Sequence, residues 1–214
     1  MSATQAVSSL VAASTIITAL AVLGTRYFRS QLWAYVWQST ILAAYTAVVA
    51  VLSGHTDLFW AAGVTLFVRA FLVPAILLRV ARALPGRREE ALIMSTASSL
   101  LIGVILVVLA ALVVAGLATA AEYPALLAGL SVTLCGLFLT ASRPEAFPQL
   151  LGLLQIENGL FLVTVGLTPG LPLINELVVL FDLVVLVVVI GVLIRLMTSR
   201  LATGNTAVFD RLRG

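Results

Sequence analysis

Read as hydrophobic against polar positions, the 214-residue chain falls into seven long apolar runs separated by short polar breaks. The runs lie at about 5–24, 32–53, 58–81, 92–117, 124–141, 147–168 and 172–198. Each is near the ~20 residues an α-helix needs to cross a ~30 Å hydrocarbon core. The runs do not alternate every second residue, as the strands of a transmembrane barrel do. The pattern therefore predicts an all-α, polytopic integral membrane protein of about seven transmembrane helices. Composition agrees. The chain is 62% hydrophobic and 10% charged, more apolar than one soluble core of this size can bury. The first run is expected to be a retained span, because no Lys or Arg precedes it and no A-x-A site interrupts its end.

The charges add an orientation. All twelve basic residues are arginine. Arg26 and Arg29 follow the first run, Arg79, Arg82, Arg87 and Arg88 end or follow the third, and Arg143 follows the fifth. Arg195, Arg200, Arg211 and Arg213 end or follow the seventh. The remaining breaks, SGHTD, LATAAEYP and TPGLPLINE, contain no basic residue. The positive-inside rule places the N-terminus outside and the C-terminus in the cytoplasm of a bacterial or archaeal inner membrane. Trp33, Trp37, Trp60 and Tyr123 stand near span ends, where an aromatic belt is expected. The net charge of +3 is thus a topology signal and predicts no nucleic-acid partner, since the arginines are scattered and Glu89, Glu90 and Glu145 lie among them.

Several chemistries drop out. Cys135 is the single cysteine and His55 the single histidine, so no Cys/His set exists for zinc, haem or an iron–sulfur centre. No phosphate loop, nucleophile elbow or H-E-x-x-H motif occurs. Without lysine there is no retinal Schiff base, despite the seven spans. The chain is expected to hold no metal, no cofactor and no catalytic residues of its own.

Spans one to three and five to seven share a plan. LWAYVWQST at 32–40 aligns with LLGLLQIEN at 150–158, so Gln38, Ser39 and Thr40 match Ile156, Glu157 and Asn158. FVRAFLV aligns with LFDLVVL, setting Arg69 opposite Asp182. Both triplets begin on the same side, which predicts a parallel repeat. The units are residues 1–90, a linker span within 91–122, and residues 123–214.

Three ionisable groups fall in mid-span: Arg69, Glu157 and Asp182. Counting ~1.5 Å per residue sets each roughly 15 Å deep, too far in to snorkel. Each ion there costs on the order of 3 kcal/mol on insertion scales. They are tolerable only if they pair, titrate or meet water. Asn158 adjoins Glu157, Thr164 lies two turns along from it, and Asn175 lies two turns before Asp182. The expected ion-coupling set is therefore Glu157, Asp182, Arg69, Asn158 and Asn175. Pro74 is expected to bend span three, and Glu176 to be a solvated interfacial charge. Gly152, Gly159 and Gly166 form a small-residue stripe for close helix packing, as do Ser95, Ser99 and Gly103.

GLLQIENG at 152–159, the mid-span Asp182, FVRAFLVP at 67–74 and the ending FDRLRG together resemble the hydrogenase-4 component E family. That family supplies a membrane subunit to formate hydrogenlyase-type and other group 4 [NiFe] hydrogenase complexes. The C-terminal triplet is in turn similar to subunit K of respiratory complex I. Asp182 falls at the third-helix glutamate of that subunit, whereas its second-helix glutamate position falls on Leu154, three residues from Glu157. The component E pattern has lysine where this chain has Arg69, which cannot relay a proton. The resemblance implies a non-catalytic subunit of a complex-I-like membrane arm. Its implied partners are antiporter-like subunits, a membrane protein similar to the H component of complex I, and [NiFe] hydrogenase-type subunits. On this reading the buried charges couple electron transfer to proton or sodium translocation. Two other readings compete: a structural adaptor whose charges only lock helices, and an independent small secondary transporter.

Overall fold

The computed structural model describes residues 3–54, 57–83, 94–117, 119, 122–167 and 191. The expected seventh span, with Asn175, Glu176 and Asp182, lies outside the described residues save for Gly191, as does His55. Every described regular element is helical: α1 Ala3–Leu23, α2 Phe28–Ser53, α3 Asp57–Thr65, a π-helical segment Leu66–Leu72, α4 Val73–Ala83, α5 Thr96–Ala115, α6 Tyr123–Ser142 and α7 Ala146–Leu167. α3, the π segment and α4 run on as one span. Among the described residues six spans are long and apolar enough to cross a membrane.

Their ends follow local chemistry. Gly54 closes α2 in the left-handed region at φ 72°, its N–H returning to the Ala50 carbonyl. A residue with a Cβ is strained there. Ser95 caps α5 by accepting from the Ser98 N–H at 3.1 Å. Its role is thus a cap, not a member of the packing stripe expected through Ser99 and Gly103. Before α6, Glu122 accepts from the Thr119 hydroxyl at 2.7 Å and the Thr119 N–H at 3.2 Å. Those two bonds, the hydroxyl's first, hold its carboxyl below the usual range.

α6 and α7 form an antiparallel hairpin of unusually close approach. A Cβ on Gly136 would stand 2.7 Å from the Gly152 carbonyl, and one on Gly159 would stand 2.6 Å from the Gly129 carbonyl. Gly152 and Gly159 of the expected stripe on span six thus meet Gly136 and Gly129 on α6. Thr133 and Thr140 bond back to the Gly129 and Gly136 carbonyls, so their hydroxyls are satisfied inside the hairpin. α1 packs on α2 and α6, α5 packs outside α1 and α6, and α2 packs between α7 and the third span.

The arginine-bearing ends gather on one face. Arg143, 3% exposed, donates to the Leu23 carbonyl at the end of α1 at 3.4 Å. A cation suits a helix C-terminus. Arg26 donates to Thr96 Oγ1 at the start of α5 at 2.9 Å, and the Phe28 and Phe147 rings lie 5.0 Å apart. Arg143 is therefore built into the fold, which its place in a loop did not signal.

Candidate functional site

The site lies where α2, α7 and the π segment meet, midway along all three. Arg69 comes from the third span. Pro74 has no N–H to donate to the Ala70 carbonyl and its ring crowds that carbonyl. The preceding turn widens instead, with the Val73 N–H reaching the Val68 carbonyl, five residues back. Pro74 thus acts on span three as a π segment around Arg69. Such segments frequently accompany function.

Glu157 and Asn158 are neighbours on α7, and both reach the same guanidinium. Arg69 Nη2 donates to Glu157 Oε1 at 3.1 Å, and Nη1 donates to Asn158 Oδ1 at 2.9 Å. Arg69 and Glu157 are each 2% exposed, and Asn158 is fully buried. The Arg69 guanidinium carbon lies 4.9 Å from the centre of the Phe161 ring, one turn along α7 from Glu157. A charge at this depth is sustained by such complete pairing, since an isolated one is heavily penalised.

The cluster continues into α2 and α1. Asn158 Nδ2 donates to Gln38 Oε1 and to Ser39 Oγ, both at 3.1 Å. Gln38 Nε2 donates to the Thr15 carbonyl at 3.2 Å. Gln38, Ser39 and Thr15 are fully buried. Asn158 of span six thus meets Ser39 and Gln38 of span two, one and two positions away from Thr40, with which the sequence alignment paired it.

Of the five expected site residues, three are assembled: Arg69, Glu157 and Asn158. Asp182 and Asn175 lie outside the described residues. Thr164 bonds back to the Leu160 carbonyl of its own helix. The sequence reading did not place Thr15 or Phe161 in the site, and it did not single out Gln155, two residues before Glu157 on α7. Gln155 is 1% exposed, and neither atom of its amide has a hydrogen bond among the described residues. A glutamine three residues before an asparagine in an apolar run was the available signal for it. No group of three or more His, Cys, Asp or Glu that suits a metal ion occurs among the described residues.

The chain is 34% identical over 182 residues to uncharacterized protein Rv0085 of Mycobacterium tuberculosis, covering 83% of this chain and 81% of that protein. It belongs to that protein's family. It is also 29% identical over 184 residues to hydrogenase-4 component E of Escherichia coli K12, covering 84% of each chain. Hydrogenase-4 component E of Shigella flexneri matches to the same extent. The chain is thus a distant homologue of hydrogenase-4 component E, and the family expectation holds at that level. No family model matches it, and no solved structure matches it.

Proposed function

We propose that this protein is a membrane subunit of a hydrogenase-type complex, in which a buried charge cluster couples electron transfer in the partners to proton or sodium movement. The relationship to hydrogenase-4 component E supports the assembly. The observation that carries the coupling role is Arg69 holding Glu157 and Asn158 at once in the middle of the spans.

The geometry supplies a fixed cation with a divided grip. Guanidinium stays protonated and only donates. If Glu157 takes a proton from a neighbouring subunit, its bond to Nη2 weakens while Asn158 still anchors Nη1. The uncompensated positive charge then attracts the next carboxylate, for which Asp182, supported by Asn175, is the candidate. Charge is passed on by attraction between fixed groups, with no proton hopping through Arg69. Antiporter-like subunits, a membrane protein similar to the H component of complex I, and [NiFe] subunits would flank the chain, as in formate hydrogenlyase-type assemblies. The C-terminal unit would stand in the place of complex I subunit K.

The structural reading has its own support, since the Arg69–Glu157 pair also ties the third span to α7. Glu157→Gln in the intact complex separates the two. A coupling group predicts normal assembly and electron transfer to an artificial acceptor, with pumping lost. Normal pumping overturns coupling, and loss of assembly marks a lock. The gathering of Arg26 and Arg143 on one face supports a cytoplasmic placement of that face. A reporter inserted at His55 should then be active only in a periplasmic format.

A further inference from the structure

Between α2 and the third span, with no residue of the charge cluster in its lining, lies an apolar hollow of about 490 Å3. Trp33 and Trp37 of α2 form one wall, and Phe71, Pro74 and Ala75 of the third span form the other. It runs from Leu66 to Leu78, roughly 18 Å of helix. Apart from the indole N–H groups of Trp33 and Trp37, its one polar side chain is Thr40, whose hydroxyl donates to the Val36 carbonyl at 2.8 Å. The rest of the lining is aliphatic or aromatic.

Its arginine-face end differs. Arg29 lies four residues before Trp33 and eight before Trp37, on the same face of α2. Arg79 lies four residues after Ala75 and eight after Phe71, on the same face of the third span. The two helices run antiparallel, so both arginines stand about one turn beyond the same mouth. Both are exposed, and neither makes a hydrogen bond or ion pair among the described residues. Two cations with no partner among the described residues, above a long apolar slot, complement an anion carrying a hydrocarbon tail.

We propose that this hollow binds one anionic phospholipid, its acyl chain between Trp33, Trp37 and Phe71 and its phosphate between Arg29 and Arg79. The inference stands on the hollow and the two arginines at its mouth and does not depend on the coupling role. Because the arginines lie outside the apolar slot, headgroup and chain are recognised by separate parts. Two arginines at a membrane surface supply a headgroup selectivity of roughly tenfold or more.

The test uses the full chain carrying Trp60→Phe, so that fluorescence reports Trp33 and Trp37, reconstituted in phosphatidylcholine vesicles. Brominated-chain phosphatidylglycerol or brominated-chain phosphatidylcholine is then titrated in as a contact quencher. The expected result is half-maximal quenching at a roughly tenfold lower mole fraction of the glycerol lipid. Arg29→Gln with Arg79→Gln should merge the two curves. Ala75→Phe, which fills the slot with both arginines in place, should reduce quenching by both lipids, so the proposal does not rest on one variant. Identical curves for the two lipids, or selectivity unchanged in the arginine variant, would overturn it. Protection of Trp33 and Trp37 from both lipids would also overturn it, and would show that a helix of this chain or of a partner fills the hollow.

Discussion

Asn158 accepts from Arg69 Nη1 at 2.9 Å and donates its own amide to Gln38 Oε1 at 3.1 Å. Gln38 then donates to the Thr15 carbonyl, so one donor-to-acceptor line joins the third span, α7, α2 and α1. The direction of the line is fixed at both ends. A guanidinium can only donate and a backbone carbonyl can only accept, so both amides between them must point the same way. An aspartate at 158 has no donor for Gln38, and a leucine has neither end.

Asn158→Leu, close in shape, should cost about 2–5 kcal/mol, because it removes the acceptor of Arg69 Nη1 and the amide that donates to Gln38 Oε1 and Ser39 Oγ, all buried. Thermal unfolding in mild detergent measures it. Gln38→Leu should cost less, since Ser39 still accepts from Asn158. The reverse order of the two variants would mean that the line is anchored at α1 and not at Arg69.

Arg69→Ala should lower the amount of folded protein in the membrane by about 3–5 kcal/mol of stability, because the buried Glu157 carboxylate loses its cation. Arg69→Met combined with Glu157→Leu should recover much of that loss, since replacing both charges removes the desolvation problem. Arg69→Lys should fall between, because one ammonium cannot reproduce the two-armed grip on Glu157 and Asn158. A double variant as unstable as the single would show that the loss comes from packing against Phe161, not from charge.

The glycines of the hairpin give a contrast of equal chemistry and unequal space. A methyl at Gly159 meets Thr133 Oγ1, the Gly129 carbonyl at 2.6 Å and the Thr133 nitrogen at 2.7 Å, two of which are backbone and cannot swing aside. Gly159→Ala should cost about 1–3 kcal/mol. At Gly63 in α3 nothing lies within 4 Å of the added methyl, and Ala is the better helix former. Gly63→Ala should be neutral or stabilising by up to ~1 kcal/mol. Similar melting shifts for the two would contradict the close approach of α6 and α7.

The sequence was most legible where one physical requirement dominates. Length and apolarity located the six described spans, because a lipid core leaves few alternatives to a helix. Arg69 and Glu157 stood out for the same reason, each being too costly in mid-span without a partner. That Asn158 sits between them and Gln38 was not legible, since spacing gives the face of a helix but not which neighbour it meets. The repeat alignment came nearest, by matching the polar breaks of spans two and six. Arg143 was read as a loop charge because its sequence position says nothing of the α1 carbonyl it reaches. Pro74 announced an irregularity, but a kink and a widened turn are equally available to a proline in a helix.

That widened turn leads to the last prediction. Between Leu66 and Leu72 the helix makes fewer turns per residue than an α-helix, which sets where Arg69 points relative to α4. α4 is anchored, because Val73 and Leu77 are buried in the core shared with Leu23, Tyr35 and Leu154. Pro74→Ala restores an N–H and removes the ring crowding the Ala70 carbonyl, so the segment can return to α-helical winding. With α4 held, the rotation must fall on Arg69, turning it away from Glu157 and Asn158. The coupling energy of Arg69 with Glu157, from a double-mutant cycle using alanine at each, should then drop from the upper end of the ~0.5–3 kcal/mol range for contacting residues to its lower end. The effect should appear even though Pro74 offers neither partner a hydrogen bond or a charge. Should the coupling in the Pro74→Ala background equal that in the parent, the winding is set by the pull of the ion pair itself. In that case it is Arg69→Ala that should relax the segment.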